Sequence, residues 1–210
     1  MHIDPIIAAL SVAVVVLVVG HARGARAVAA VAKLTASGLF LALGVARGLL
    51  ASDPGTVLFV GLALSFVGDA ALLSKDKKPF LVGLGAFLLA HVAYAIAFAR
   101  SGLDMGVLPF SGAALAVVGF SVLRWLWPHV KGSMRGPVVL YILAITVMVA
   151  LAAARLGPSS ATVLNGAVLF MISDVFVARE RFVRASVVNR AIGLPLYYAG
   201  QVLLVVGHGA

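Results

Sequence analysis

Eight apolar runs, each near the roughly 20 residues that cross a bilayer as a helix, fill almost the whole chain, at 5–20, 27–46, 55–74, 79–99, 105–126, 136–154, 159–178 and 189–207. Short turns rich in charge, glycine or proline separate them, such as GHARGAR, ARGLLASDPG and SKDKKP. This pattern predicts an all-α integral membrane protein. Residues 1–210 form one bundle of eight transmembrane helices with short loops and no separate soluble domain.

Composition agrees. Of the 210 residues, 63% are hydrophobic and 11% charged, against about 25% charged in a soluble domain. The first run resembles a signal peptide, with Ala25-Arg26-Ala27 as a cleavage site. However, its leading segment carries Asp4 and no Lys or Arg, whereas secretory signals begin positive, so a retained span is expected. The absence of cysteine excludes disulfides and thiolate chemistry. The net charge of +9 reads as loop bias and contact with anionic headgroups rather than nucleic-acid binding.

Charge orients the bundle. The connections after spans one, three, five and seven hold twelve Lys and Arg residues, and the opposite side holds only Arg47, Arg100 and Arg155. Twelve against three puts the richer side in the cytoplasm and both termini outside. Residue counting then gives depth. Lys33, Tyr141, Asp69 and Asp174 each lie five or six residues inside that face, or roughly 9 Å down at about 1.5 Å rise per residue. His91, Tyr94, Tyr197, Tyr198 and Gln201 lie deeper. His91 and Tyr94 share a helix face, as do Tyr197 and Gln201. Polar groups at bilayer depth avoid lipid, so a common wet chamber opening towards the cytoplasmic leaflet is expected. Asn189 and Arg190 begin span eight at its rim.

Spans three and seven read alike (apolar, small residue, Asp, apolar turn, basic–acidic–basic), which suggests a parallel four-plus-four duplication. Gly44 and Gly48 read as small-residue helix packing. Pro195 should kink span eight or free a carbonyl. Lys33 could snorkel to the interface, and the tyrosines and His91 could simply bond neighbouring helices. The aspartates are different, because a carboxylate gains nothing from apolar packing. Two of them brought together do not both ionise cheaply, so one tends to keep its proton. Such a pair can serve acid-catalysed hydrolysis through a cation, as in glycosidases, or a proton relay in a transporter or flippase. With no Cys and one buried His, a metal centre would be underligated, and no cofactor is expected.

These residues resemble those of the YhhN-like lysoplasmalogenase family. The likeness lies in Gly68-Asp69, in FLLAHVAYAIAF with His91 and Tyr94, in Ser173-Asp174 with its basic sequel, and in PLYYAGQVLL with Tyr197, Tyr198 and Gln201; Lys33 fits as well. The resemblance implies a membrane enzyme that cleaves the vinyl ether of lysoplasmenyl-ethanolamine or -choline into a fatty aldehyde and the glycerophospho-base. On that basis Asp69 and Asp174 are the expected catalytic acids. Lys33 would set their asymmetry, while His91, Tyr94, Tyr141 and Tyr197 would position substrate or water. Arg190, Lys75 and Arg179 would take the lipid phosphate.

Overall fold

The computed structural model describes residues 4–74, 76–157 and 159–208. Lys75 lies outside the described residues. Among them the chain forms eight long helices and no strand: α1 (Pro5–Ala22), α2 (Arg26–Ala46), α3 (Asp53–Ala71), α4 (Lys77–Arg100), α5 (Leu108–Leu126), α6 (Arg135–Ala154), α7 (Ser160–Ala178) and α8 (Val187–His208). All eight are long and apolar enough to cross a membrane. The protein is therefore an all-α, eight-span membrane protein.

Local chemistry sets the helix ends. Asp4 caps α1 by accepting from the Ile6 N–H ahead of Pro5. Its carboxyl also accepts from Arg47 at 2.9 Å, and this contact above all holds it below the usual carboxylate range. Ser52 caps α3 through the Gly55 N–H. Gly48 corrects the expectation that it packs between helices. It lies beyond α2 with φ +70°, a left-handed turn that ends the helix and that a glycine adopts without strain. Gly44 does pack, facing Leu49, Phe59 and Leu62. Helix α8 continues through Pro195.

Consecutive helices pair as hairpins, α1–α2, α3–α4, α5–α6 and α7–α8, and these are the closest-packed neighbours. Helix α8 also reaches back to α1 and α2, while α4 and α6 meet across the bundle. A shared core includes Phe40, Leu62, Phe98, Met148, Phe170 and Leu204. Tight helix approach is built on glycine. A methyl added at Gly200 would come within 2.9 Å of the Gly166 carbonyl, and one at Gly166 equally close to that of Gly200. Helix α5 is peripheral, packs chiefly on α6, and buries only Gly119 and Leu126. Its Phe110 and Phe120 are exposed, as are Val12 on α1 and Val31 on α2. So broad an apolar exterior fits hydrocarbon rather than water.

Candidate active site

The same end of α1, α3, α5 and α7 meets the starts of α2, α4, α6 and α8, and the arginine-rich turns lie there. Beneath this face sits a cavity of about 580 Å³ whose lining includes Lys33, Asp69, Tyr141, Asp174 and Tyr197. The four groups expected in one layer thus reach one cavity, together with a tyrosine from α8.

Asp69 lies at the end of α3 and is almost fully enclosed, at 2% exposure. Three donors converge on it. Lys33 Nζ is 3.1 Å from Oδ1, and the Ser37 and Tyr197 hydroxyls each donate to Oδ2 at 2.7 Å. Lys33 and Ser37 lie four residues apart on α2, so one helix face delivers both. Lys33 therefore turns inward to an acid rather than outward to the interface. A carboxylate accepts only, and this one has its capacity largely used.

Asp174 on α7 is held more lightly. Its Oδ2 accepts from the Tyr141 hydroxyl at 2.8 Å, and His91 Nε2 lies 3.5 Å from the same oxygen. No hydrogen bond engages Oδ1 among the described residues. The Asp174 side chain is 15% exposed, against 3% for Asp69. His91 is buried completely, with neither ring nitrogen hydrogen-bonded.

Behind the cavity wall runs a second layer. Tyr198 bonds Ser37 at 3.0 Å and donates to the Lys33 carbonyl at 3.1 Å. Gln201 donates to Tyr197 at 3.2 Å and accepts from Tyr94 at 2.9 Å, and Ser65 meets Tyr94 at 3.1 Å. His91, Tyr94, Tyr198 and Gln201 do not line the cavity. They support its wall rather than touch its contents. Phe170 of α7 joins the two acids' surroundings, its ring centroid 4.7 Å from that of His91 and 5.1 Å from that of Tyr197.

At the rim the chain makes one wide helical turn, Arg179–Val183, before α8. Glu180 is its hub, accepting from the Ser186 N–H, Asn189 and Arg190. Asn189 is buried and binds Arg179 as well as the Arg184 carbonyl. Asn189 thus organises the rim. Arg190 and Arg179 reach the expected region, but each has an internal partner.

Sequence reading missed Ser37, Ser65, Phe170 and Glu180. The serines were findable, because Ser37 follows Lys33 by four residues and Ser65 precedes Asp69 by four, the spacing that shares a helix face. Phe170 carried no signal distinguishing it from other core aromatics. Among the described residues no group of three or more His, Cys, Asp and Glu side chains is arranged to hold a metal ion.

Fold and site together define a polytopic helical membrane protein with a buried pair of unlike acids opening beneath one face. The YhhN family model matches residues 7–208, and the chain belongs to that family. It is similar to "Lysoplasmalogenase" of Mycobacterium tuberculosis, at 36% identity over 71% of this chain and 59% of that protein. It is also similar to human "Lysoplasmalogenase TMEM86A", at 32% identity over 74% of this chain and 66% of that protein. "Uncharacterized membrane protein YhhN" of Escherichia coli is 29% identical over 71% of this chain and 72% of that protein. The match thus spans less than two thirds of the mycobacterial relative's length and close to two thirds of the human one. No solved structure matches.

Proposed function

We propose that this protein hydrolyses the vinyl ether bond of lysoplasmalogens, with Asp174 as general acid and Asp69 as a fixed carboxylate. The products are a fatty aldehyde and glycerophosphoethanolamine or glycerophosphocholine. Relatives named lysoplasmalogenase at 29–36% identity support the substrate class. One observation carries the residue roles: two acids on one cavity differ in what occupies their oxygens. Asp69 is saturated by Lys33, Ser37 and Tyr197. Asp174 keeps Oδ1 without a hydrogen-bond partner.

Vinyl ether hydrolysis begins with protonation of the outer alkene carbon. In our reading Asp174 Oδ1 delivers that proton, and the ether oxygen's lone pair stabilises the new cation as an oxocarbenium ion. Asp69 faces this charge and stabilises it electrostatically. Asp174, now a carboxylate, takes a proton from water as the water oxygen bonds the cationic carbon. The hemiacetal then collapses: its C–O bond to glycerol breaks, the hydroxyl proton moves to the leaving oxygen, and the aldehyde forms. Tyr141 holds the Asp174 carboxyl with His91 beside it, and Lys33 pairs with Asp69. We read the cavity mouth as opening to the cytoplasmic leaflet of the membrane, where the excess of Lys and Arg lies.

The test is purified protein incubated with lysoplasmenylethanolamine and with its 1-acyl counterpart, measuring aldehyde and fatty acid separately. Aldehyde from the first alone, without any ion gradient, is expected. Fatty acid from the second at a comparable rate would replace the assignment with an acyl hydrolase. Asp69→Asn and Asp174→Asn should each lower aldehyde release about 100-fold or more, the scale of a lost acid–base group. Either variant keeping more than about a tenth of the activity would remove that residue from its role.

A further inference from the structure

Among the described residues, the mouth of the cavity carries positive charge that no acid neutralises. The chain contains seven Asp and Glu residues, and every one is engaged elsewhere. Asp4 pairs with Arg47, Asp53 with Arg100, Asp69 with Lys33 and Glu180 with Arg190. Asp174 sits with Tyr141 and His91. Asp76 and Asp104 bond serine or backbone groups in their own turns. Among the described residues, two arginines on the cavity lining remain without an acid: Arg26, at the start of α2, and Arg181, in the wide turn after α7.

Arg181 is held rather than loose. Its guanidinium lies 4.0 Å over the Phe80 ring, and Phe80 is buried and braced edge-on by Phe182, with ring centroids 6.3 Å apart. A guanidinium held over an aromatic ring through its cationic centre still has N–H groups to offer an acceptor. Arg26 precedes Lys33 by seven residues, two turns of α2, and so stands on the same face about 10 Å nearer the surface. An arginine side chain and a glycerol backbone together cover that rise.

We propose that Arg26 and Arg181 bind the phosphate of the substrate's headgroup, in place of Arg190, which is paired with Glu180, and Arg179, which bonds Asn189 and does not line the cavity. This rests on the lysophospholipid reading above and adds a specificity to it. The enzyme would distinguish a phosphoglyceryl vinyl ether from a 1-alkenylglycerol that has the same reactive bond and no phosphate. Each arginine acts through binding, so its loss falls on KM rather than kcat.

The experiment compares Arg26→Gln, Arg181→Gln and the surface control Arg124→Gln on both substrates, in neutral detergent. Loss of one charge-assisted contact should raise KM for lysoplasmenylethanolamine about tenfold at nearly constant kcat. Kinetics on 1-alkenylglycerol should stay unchanged, as should the control on both substrates. Equal losses on the two substrates, or none on either, would overturn the assignment. Binding of a non-hydrolysable 1-O-alkyl lysophosphatidylethanolamine, set against 1-O-alkylglycerol, reads the same contacts without turnover. Wild-type protein that prefers the phosphate-bearing ligand through both arginines yet releases no aldehyde would sink the hydrolase reading and leave this one standing. If the variants differ from wild type only when phosphatidylglycerol is added, the arginines serve the bilayer's headgroups, and the substrate assignment fails.

Discussion

Tyr94 and Tyr197 look alike in sequence, each a tyrosine deep in a span, but they stand in different layers. Tyr197 lines the cavity and donates to Asp69 at 2.7 Å. Among the described residues Tyr94 bonds only Ser65 and Gln201, behind the wall. Removing a donor from a buried carboxylate costs about 1.5–3 kcal/mol, whereas one neutral interhelical hydrogen bond in a membrane protein averages about 0.6 kcal/mol. Tyr197→Phe should therefore lower kcat/KM about 10- to 100-fold, and Tyr94→Phe by no more than about threefold. Steady-state kinetics of the two variants separate these outcomes; equal effects would mean the two layers act as one. Counting along the helices was enough to set Lys33, Asp69, Tyr141 and Asp174 at one depth, because rise per residue is nearly constant. It could not tell which neighbour each would face. That depends on helix order and rotation, which is why Ser37 and Phe170 escaped notice and why Tyr94 was expected at the substrate.

At the level of the helix, the site depends on how close α7 comes to α8, since α7 carries Asp174 and α8 carries Tyr197. Gly166 and Gly200 set that distance backbone to backbone. Overpacking costs about 1–3 kcal/mol, and here it would also slide the two functional side chains apart. Gly200→Val should lower the thermal midpoint in detergent by several degrees, at about 2–4 °C per kcal/mol, and reduce activity with it. Gly85 is the control: it is exposed on α4 and an added methyl meets nothing within 4 Å. Gly85→Ala should match or slightly exceed wild-type stability, because alanine favours the helix by about 1 kcal/mol. A Gly200→Val protein melting with wild type would show that the helices are free to move apart. The spans were legible because twenty apolar residues admit little else in a bilayer. Their ends were less so: Gly48 fits either packing or termination by composition, and only its positive φ decides.

For the molecule as a whole, the remaining question is which face meets the cytoplasm. The connections joining α1–α2, α3–α4, α5–α6 and α7–α8 and the helix ends beside them gather twelve of the Lys and Arg residues and also the cavity mouth. The opposite face keeps three arginines, of which Arg47 and Arg100 are neutralised by Asp4 and Asp53. Arg155 on that side is partly withdrawn from water, which lowers its pKa through desolvation. Positive residues in short loops are retained on the cytoplasmic side, and acids beside them contribute little, so the count of twelve against three carries the prediction. Because the chain has no cysteine, single introduced thiols report sidedness against no background. Ser133→Cys lies in the α5–α6 connection and Gly106→Cys in the α4–α5 connection, both exposed. In intact cells a membrane-impermeant maleimide should label Gly106→Cys and spare Ser133→Cys, and permeabilisation should make both reactive. The opposite labelling would turn the mouth outward, and the enzyme would then draw substrate from the outer leaflet. With the expected labelling, the cavity mouth faces the leaflet whose anionic headgroups attract the arginines around it.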